Sequence, residues 1–426
     1  MSCSYGPGRY DAAYEEKGQD YPLGFVRWTQ QRNFVAVLDM MSTGALNVTA
    51  LITSRFEFED APKAYDALTE DKSGLGILLK YNSNVKTRLE KKVILRPITI
   101  DAKNVVVGFI GAGNYASRIL IPAFKKASAQ LHTIVTSGGI NGVIHGEKTG
   151  FAEASTDVDA LLSNNNINTV AIATRHNSHA YFVQKALAAQ KNVFVEKPLA
   201  LTVEEIDQIE EIYNQNIQNK QFTRVMVGFN RRFAPQVQKM KSLLVSVREP
   251  KSFIMTMNAG AIPADHWTQD NAVGGGRIIG EACHFIDLMR FLAGSKIVSV
   301  QARRMGDTDA VQLLEDKASI TLGFEDGSFG TIFYLANGAS NFPKERVEVF
   351  TAGRVLQLDN FRKLKGFGWP GFSKMNLWRQ DKGQDACAAA FIESIRQGLE
   401  APISAEEIFE VARVTIQATE ILRNQV

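Results

Sequence analysis

The sequence has few cysteines, and they are not arranged as a disulfide framework or a zinc site would require. Cys3, Cys283 and Cys387 are the three cysteines among 426 residues, and they lie far apart. Small disulfide-stabilised domains and cysteine-rich metal sites need closely spaced cysteines. We therefore expect no bound metal and a reducing compartment, the cytoplasm.

Long apolar runs and an excess of one charge are also missing. No run reaches the roughly 20 apolar residues of a membrane-spanning helix, and the N-terminal MSCSYGPGRYD lacks the apolar core of a signal peptide. The net charge is only +3, without a dense lysine and arginine tract. We expect neither a membrane nor a nucleic acid as partner. The composition, 45% apolar and 22% charged, is typical of a globular protein, and the length suggests two or three domains.

The first stretch, residues 1–82, holds too few elements for an independent domain. Apolar spacing predicts a helix over 29–44 and a short helix over 59–71. Strand patterns occupy 50–58 and 74–81. We interpret this stretch as a short α/β remnant.

Three further segments follow. Residues 83–103 are polar, basic and broken by Pro97, which predicts a linker. Residues 104–230 alternate apolar strands with helices, which predicts a Rossmann-type doubly wound parallel sheet. Residues 231–426 show several strands, a hairpin signal at Asp326-Gly327 and closing helices. They predict an α+β domain with a mainly antiparallel sheet.

A glycine-rich turn, Gly111-Ala112-Gly113-Asn114-Tyr115-Ala116, follows the first apolar strand of the parallel sheet and opens a helix. Gly111 allows the tight turn, Gly113 lets a pyrophosphate approach the backbone, and Ala116 takes the place of the third glycine. The free N–H groups of the helix N-terminus favour an anion. In this context we predict that Asn114 and Tyr115 also belong to a nucleotide site.

An acidic residue is missing where an NAD-specific fold usually has one. The second strand ends near Ser137, and no Asp or Glu occurs from Ala102 to Gly146. A carboxylate there normally binds the adenosine ribose. Its absence removes a repulsion against the 2′-phosphate of NADP, although no arginine lies beside Ser137. We expect NAD(P), with NADP slightly favoured.

The segment VFVEKPLALT places Glu196-Lys197-Pro198 at the end of a parallel strand, at the rim where such sheets bind ligands. A lysine there can exchange a proton with a substrate oxygen. A solvated surface lysine would fit the same pattern. The residues alone favour neither interpretation.

Residues 104–425 resemble the glucose–fructose oxidoreductase/inositol dehydrogenase/MocA family. The resemblance rests on GFIGAGNYA, AIATRHNSHA, VFVEKPLALT, VGFNRRFAP and GGGRIIGEACHFIDL, in that order. It implies an NAD(P)-dependent dehydrogenase or reductase that acts on sugars, sugar derivatives or cyclic polyols. It also implies roles for specific residues: Lys197 and His284 in catalysis, Asn230 and Arg231 near the substrate, and Thr174, His176 and Glu196 at the cofactor.

The sequence departs from this family at one position. Many members carry an aspartate four residues before the histidine, where this chain has Gly280, followed by Glu281. Positions three apart on a helix lie on nearly the same face, so we keep Glu281 as a candidate catalytic carboxylate. Asp265-His266-Trp267 is a candidate set of substrate contacts or an ordinary loop. Cys283 is interpreted as a packing residue.

The stretch before the linker resembles the C-terminal end of a zinc-type medium-chain alcohol dehydrogenase. The resemblance rests on the helix, the strand around Thr53-Ser54-Arg55-Phe56 and the terminal strand. The stretch has no zinc ligands and no glycine-rich turn of its own. We therefore expect a remnant or docking segment, in a chain that is the back end of a two-domain fusion protein whose front has been cut away by truncation or gene splitting.

These observations predict hydride transfer between nicotinamide and a secondary alcohol or ketone of a sugar, nucleotide sugar or cyclic polyol. Two other classes remain open: a cofactor-retaining hydrolase or lyase that uses transient oxidation, and a nucleotide-binding protein without chemistry. We also expect a homo-oligomer formed through the C-terminal sheet.

Overall fold

The computed structural model describes residues 6–70, 74–81, 90–97, 99–101, 104–306, 313 and 315–425. These residues divide into two compact units, residues 1–90 and 91–426. Cys3 lies outside the described residues. Within the described part of the chain, no helix is long and apolar enough to cross a membrane.

The first unit is a small βαβ arrangement with an additional helix. Its elements are α1 (Ala12–Glu15), α2 (Gln30–Ser42), β1 (Ser54–Glu57), α3 (Ala61–Glu70) and β2 (Ile77–Lys80). Strands β1 and β2 pair in parallel, and α3 connects them. Helix α2 contains no buried residue, and Phe34 and Leu38 are 50% and 62% exposed. The helices and strands predicted for this stretch are present, but the unit has almost no core.

The second unit begins with a seven-stranded sheet in the order β3-β6-β5-β4-β7-β8-β9. Its strands are β3 (Lys92–Ile94), β4 (Val106–Ile110), β5 (Gln130–Val135), β6 (Glu153–Ser155), β7 (Thr169–Ile172), β8 (Asn192–Val195) and β9 (Val225–Val227). Its helices are α4 (Ile121–Lys126), α5 (Ile140–Thr149), α6 (Val158–Leu162), α7 (His179–Ala188) and α8 (Val203–Gln218). All strands except β3 run parallel, and every residue of β4 and β7 is buried. This is the predicted Rossmann fold, with helices covering both faces of the sheet.

Three residues of the predicted linker belong to this sheet. Lys92–Ile94 pairs antiparallel with Glu153–Ser155. Alternation of apolar and polar residues is absent in so short an edge strand, which is why the sequence suggested a linker for all of residues 83–103. Residues 82–89 lie outside the described part of the chain.

The C-terminal part of the unit contains an eight-stranded sheet in the order β11-β12-β13-β10-β14-β15-β16-β17. The strands are β10 (Ser252–Asn258), β11 (Ile297–Arg304), β12 (Lys317–Phe324), β13 (Phe329–Leu335), β14 (Glu345–Thr351), β15 (Arg354–Asp359), β16 (Lys363–Phe367) and β17 (Lys374–Asn376). The helices are α9 (Pro235–Leu244), α10 (Cys283–Ala293), α11 (Gln384–Arg396) and α12 (Ala405–Arg423). Only β10 and β13 pair in parallel, so the mainly antiparallel sheet and the β12–β13 hairpin are confirmed.

Buried contacts join the two sheets through the helices between them. Phe194 of β8 packs against Phe391 of α11, with ring centroids 5.6 Å apart. Arg232 binds Asp287 of α10 through Nε at 3.1 Å and through Nη2, and binds Glu407 of α12 through Nη1 at 2.8 Å. Helix α10 is thereby fixed against the Rossmann sheet, and α10 is the helix that carries His284.

Candidate active site

The glycine-rich turn follows β4, and its two glycines are required for different reasons. Gly111 has a φ of +101°, and a Cβ there would lie 2.4 Å from the carbonyl oxygen of Ala173. A side chain at this position would therefore meet both strain and a backbone clash. A Cβ on Gly113 would meet no atom within 4 Å. Gly113 faces open space, which is what the approach of a pyrophosphate to the backbone requires.

Three loops meet at the carboxyl edge of the parallel sheet. The turn after β4 lies between the loop after β5, which contains exposed Ser137, and the loop after β7, which contains Thr174. The hydroxyls of Thr174 and Ser178 are 2.7 Å apart. This is the point where the strand order reverses, and doubly wound sheets bind their ligands there. The residues present fit a dinucleotide at this edge.

Glu196 at the end of β8 is a buried carboxylate beside Tyr115. Its side chain occupies the space above Gly228, where a Cβ would lie 2.7 Å from Glu196 Oε1. Burial raises the pKa of Glu196 to about 7, while Lys197 and the neighbouring Tyr115 hydroxyl act to lower it. Burial and the Glu196 charge in turn raise the pKa of Tyr115. The structure thus brings together Tyr115 and Glu196, which the sequence placed at the cofactor.

Lys197 extends from β8 to the helix that precedes His284. Its Nζ donates a hydrogen bond to the carbonyl oxygen of Gly280 at 2.5 Å. His179 holds the loop of Lys197 in place, because its ring nitrogens lie 2.7 Å from the Pro198 carbonyl oxygen and 3.2 Å from that of Thr174. His179 therefore connects the loops after β7 and β8.

His176 fills the space next to Gly280. A Cβ on Gly280 would lie 2.9 Å from His176 Cε1, and His176 Nδ1 lies 2.7 Å from the carbonyl oxygen of Gly274. Trp267 packs edge-on against the His176 ring, with centroids 4.9 Å apart. Burial, with the charge of Lys197, lowers the pKa of His176 to about 3. His176 is thus a neutral packing partner of Gly280.

Glu281 is held by two residues that the sequence did not single out. Arg277 donates to Glu281 Oε1 from Nε at 3.2 Å and from Nη2 at 3.1 Å, and the Tyr334 hydroxyl donates to Oε2 at 2.9 Å. Residues 278–282 form a π-helical turn, a wider helical turn that is frequent at functional sites. Burial acts to raise the pKa of Glu281, but Arg277 and Lys197 outweigh it and hold that pKa below its usual range. Glu281 is a fixed, ionised carboxylate near Lys197.

His284 is buried, with 6% of its surface exposed, and its Nδ1 has no hydrogen-bond partner among the described residues. Burial, assisted by the positive charges of Arg231, Lys197 and Lys382, holds the pKa of His284 well below its usual value. The imidazole is neutral at pH 7 in this structure. The catalytic role that the resemblance implies for His284 would therefore begin from the neutral imidazole.

Asn230 and Arg231 anchor the far wall of the site. Asn230 Nδ2 donates to the carbonyl oxygen of Lys382 at 2.7 Å. Arg231 Nη2 and Lys382 Nζ bind the two oxygens of Glu345, at 2.6 Å and 2.7 Å. Both predicted residues thus lie near His284, where they are held by protein contacts.

Two residues of the predicted substrate loop are exposed to solvent rather than packed against the site. Asp265 and His266 are exposed, and His266 Nδ1 lies 2.8 Å from the Thr268 hydroxyl. Only Trp267 of this loop packs on a site residue, His176. Cys283 is 2% exposed, and burial raises the pKa of its thiol to about 12, which fits a packing role.

Sequence reasoning missed four residues, of which one lies within a quoted motif and three lie far from the motifs along the chain. They are Arg277, Tyr334, Glu345 and Lys382. Tyr334 and Glu345 occupy buried positions in alternating strand patterns, where an apolar residue is the usual occupant. The charge of Glu345 was a signal, because a carboxylate on the buried face of a strand requires a cation nearby.

Two family descriptions match the second unit. The oxidoreductase family with an NAD-binding Rossmann fold, GFO/IDH/MocA, matches residues 105–229, and the GFO/IDH/MocA C-terminal domain matches residues 247–354. Among solved structures, levoglucosan dehydrogenase in complex with NADH and levoglucosan superposes with a TM-score of 0.65 at 20% identity, covering 75% of this chain and 97% of that one. An oxidoreductase domain protein from Kribbella flavida gives the same TM-score and identity over 75% and 96% of the two chains. These structures show the same fold.

Curated relatives match the same region. Myo-inositol 2-dehydrogenase of Thermotoga maritima is 27% identical, over 51% of this chain and 64% of its own length. The 1-carboxy-3-chloro-3,4-dihydroxycyclohexa-1,5-diene dehydrogenase of Comamonas testosteroni is 26% identical, over 57% and 60%. The chain thus spans less than two thirds of the length of these two relatives. Oxidoreductase P35 of Formosa agariphila is 30% identical, over 54% of this chain and 79% of its own length. Through residues 105–354, this chain belongs to the GFO/IDH/MocA oxidoreductase family.

Proposed function

We propose that this protein is an NAD(P)-dependent dehydrogenase or reductase. It transfers a hydride between nicotinamide and a secondary alcohol or ketone of a sugar, nucleotide sugar or cyclic polyol. The observation that carries the proposal is the position of Lys197, which follows a parallel strand at the nucleotide edge and reaches the helix of His284. This position supports a proton-handling role for Lys197 and His284 beside the nucleotide fold.

The chain's own residues handle the reacting oxygen and its proton. Lys197 Nζ, which donates to the Gly280 carbonyl here, turns to the substrate oxygen and stabilises the negative charge that develops on it. His284 is neutral and has an unpartnered ring nitrogen, so it accepts the hydrogen bond of the substrate hydroxyl and takes up its proton during oxidation. Burial and the surrounding cations disfavour the imidazolium, so His284 releases this proton to solvent water. Glu281, ionised and fixed by Arg277, orients a neighbouring substrate hydroxyl.

The cofactor supplies a hydride acceptor or donor at the nicotinamide ring. Gly113 and the following helix would bind its pyrophosphate, and Thr174 would line the nicotinamide side of the cleft. Ser137 would face the adenosine ribose, and no acidic side chain follows β5 to repel a 2′-phosphate. The family description and the NADH complex of a structural neighbour support NAD(P). We propose that NADP binds at least as well as NAD.

The substrate class follows from the relatives. Their names refer to inositol and to a dihydroxylated, carboxylated cyclohexadiene, and the structural neighbour is named for levoglucosan. All three are ring compounds that carry hydroxyl groups. The test is a screen of sugars, nucleotide sugars and inositols with NAD and NADP, read as substrate-dependent formation of the reduced cofactor. Tight cofactor binding without net turnover would instead favour the hydrolase or lyase class.

The outward face of the C-terminal sheet supports a second copy of the chain as partner. Ile254 of β10, Phe333 of β13 and Phe350 of β14 lie on three adjacent strands and are 39–41% exposed. Apolar side chains on the open face of a sheet are commonly covered by another subunit. We expect a homo-oligomer in sedimentation experiments, and Phe333→Asp should dissociate it.

The first unit is proposed to be the remnant of an alcohol-dehydrogenase-like domain that serves as a docking segment. Its resemblance to that domain and the exposed apolar side chains of α2 support the proposal. Deletion of residues 1–90 should preserve cofactor binding, because the nucleotide fold lies beyond them. A longer deletion, of residues 1–98, would also remove β3, which belongs to the sheet of the second unit. That deletion would therefore not test the first unit alone.

A further inference from the structure

Positive charge exceeds negative charge around the buried His284, and this excess points to the chemistry of the substrate. We infer that the cleft beside His284 binds an anionic group of the substrate, a carboxylate or a phosphate carried on the sugar or cyclic polyol. The inference rests on the proposed function and narrows its substrate class to acidic ring compounds.

Three cations lie around His284. Lys197 Nζ binds the carbonyl oxygen of Gly280, one turn before the histidine on the same helical segment. The Arg231 guanidinium lies over the ring of Phe285, 5.4 Å from its centroid. Lys382 joins Arg231 through Glu345. All three act electrostatically on the imidazole.

These cations have one carboxylate between them. Glu345 binds Arg231 through one oxygen at 2.6 Å and Lys382 through the other at 2.7 Å. Lys197 is hydrogen-bonded to a neutral carbonyl group rather than to a carboxylate. Three positive charges against one negative charge leave an excess of two at this wall of the cleft.

The other nearby carboxylates are already engaged. Glu281 is bound by Arg277 and Tyr334. Asp316 binds Lys317 at 2.6 Å and lies 3.9 Å from Arg277. Asp287 and Glu407 share Arg232, so this group of three keeps one negative charge and lowers the excess from two to one.

Two further charged groups do not remove the excess. The pKa of Glu196 is about 7, so this carboxyl is only partly ionised at neutral pH. Exposed Lys344 adds a positive charge that acts on both Lys382 and Glu281.

The surroundings of Lys382 show the effect of this excess. Its side chain is 18% exposed. Burial lowers the pKa of Lys382, and the charges of Arg231 and Lys344 lower it further against the opposing effect of Glu345. Partly buried cations without sufficient counter-charge are costly in a protein interior. A bound anion would supply the missing counter-charge, which a neutral polyol cannot do.

His284 adds a hydrogen-bonding group to the same wall. Its Nδ1 has no partner within the described part of the chain, although the ring is buried. Buried polar atoms are nearly always hydrogen-bonded, so an unpartnered one is a candidate position for a ligand atom. An acidic ring compound can place a hydroxyl at His284 and Lys197 while its anionic group lies toward Lys382.

The test measures the binding of matched probes to the full-length protein saturated with NADH. The probes are D-glucose, D-glucuronate and D-glucose 6-phosphate, measured by isothermal titration calorimetry. We expect at least one acidic probe to bind roughly 10-fold or more tightly than glucose, the size expected of a charge-assisted hydrogen bond. The two acidic probes distinguish a carboxylate site from a phosphate site.

Lysine variants locate the anion. Lys382→Gln should remove most of the preference for the acid over glucose. Exposed Lys344→Gln should reduce that preference by a smaller factor, and it provides a test if Lys382→Gln does not fold. Lys148→Gln, at an exposed lysine of α5, is the matched control and should change nothing.

The inference is overturned if neither acidic probe binds more tightly than glucose, including the case in which no probe binds. An acid preference that both lysine variants retain would also overturn it. Failure of the proposed function has a different signature, because the acid preference would persist while no compound of the screen yields reduced cofactor. Turnover of neutral polyols alone would refute the inference and leave the dehydrogenase standing.

Discussion

The ring of His176 occupies the space into which a side chain at position 280 would project, because a Cβ on Gly280 would lie 2.9 Å from His176 Cε1. The two residues are separated by about a hundred positions and belong to different layers of the fold. Their contact explains why position 280 favours glycine over a residue with a side chain. The carboxylate of this site, Glu281, is the next residue of the π-helical turn.

This contact predicts that an aspartate introduced at position 280 alone destabilises the protein. Gly280→Asp should destabilise the protein by about 1–3 kcal/mol, as overpacked cores do. Combining it with His176→Ala should cost less than the sum of the two single changes, because the smaller side chain leaves room. Urea unfolding of the four proteins gives the coupling energy. Strictly additive costs would show that the two positions do not compete for space.

The two glycines of the nucleotide turn should respond differently to substitution. Gly113→Asp should leave stability nearly unchanged and abolish cofactor binding, because its side chain enters open space and places a carboxylate against the pyrophosphate. Gly113→Ala is the matched control for folding. Gly111→Ala should instead lower stability, because position 111 combines a φ of +101° with a backbone clash. NADH fluorescence titration and thermal unfolding separate the two effects, and unchanged NADH binding by Gly113→Asp would exclude this turn as the pyrophosphate site.

The buried carboxyl of Glu196 should make stability depend on pH. Burial raises its pKa from 4.5 to about 7 in the folded state. Between these values the unfolded chain releases the proton and the folded chain keeps it, so stability falls as pH rises through this window. The loss amounts to about 3 kcal/mol, at 1.36 kcal/mol per pKa unit.

Glu196→Gln should remove this contribution. The stability of the variant relative to the natural protein should rise between pH 5 and pH 8 in urea unfolding, whereas exposed Glu204→Gln should show no such trend. A constant difference across that range would mean that Glu196 does not change its pKa on folding.

Much of this fold follows from local sequence patterns, and the site follows only in part. The all-apolar strand over 106–110, the glycine turn and the Asp326-Gly327 hairpin each depend on neighbouring residues, and each is present as predicted. Lys197 is recognisable because it ends a strand whose direction fixes the ligand edge of the sheet.

The remaining site contacts depend on residues that are distant along the chain. Nothing near His176 indicates that Gly280 makes room for it, and nothing near Lys382 indicates that it shares Glu345 with Arg231. The contacts of the substrate loop could not be predicted for the same reason. Trp267 finds a distant partner in His176, whereas its neighbours Asp265 and His266 remain exposed.

Cofactor choice should be adjustable at Ser137. Ser137→Asp places a carboxylate at the end of β5, where it would bind the ribose hydroxyls of NAD and repel the 2′-phosphate of NADP. We expect the ratio of the two dissociation constants to shift toward NAD by about 10-fold or more, the equivalent of 1.4 kcal/mol. Ser137→Asn, which has the same shape without the charge, is the control. If the Asp variant leaves the ratio unchanged, the ribose is bound elsewhere.

The central claim is that Lys197 acts in the chemical step. A variant without this lysine should therefore lose turnover while it keeps its affinity for the cofactor. The steady-state kcat of Lys197→Ala, on a substrate identified by the screen and with the cofactor dissociation constant measured alongside, is the direct test. We predict that kcat falls by about 10²–10⁴-fold, the contribution typical of an acid–base group, while cofactor affinity stays nearly unchanged. Lys197→Arg should not restore kcat, because a guanidinium stays protonated and differs in shape. A near-native kcat in Lys197→Ala would contradict the proposed mechanism.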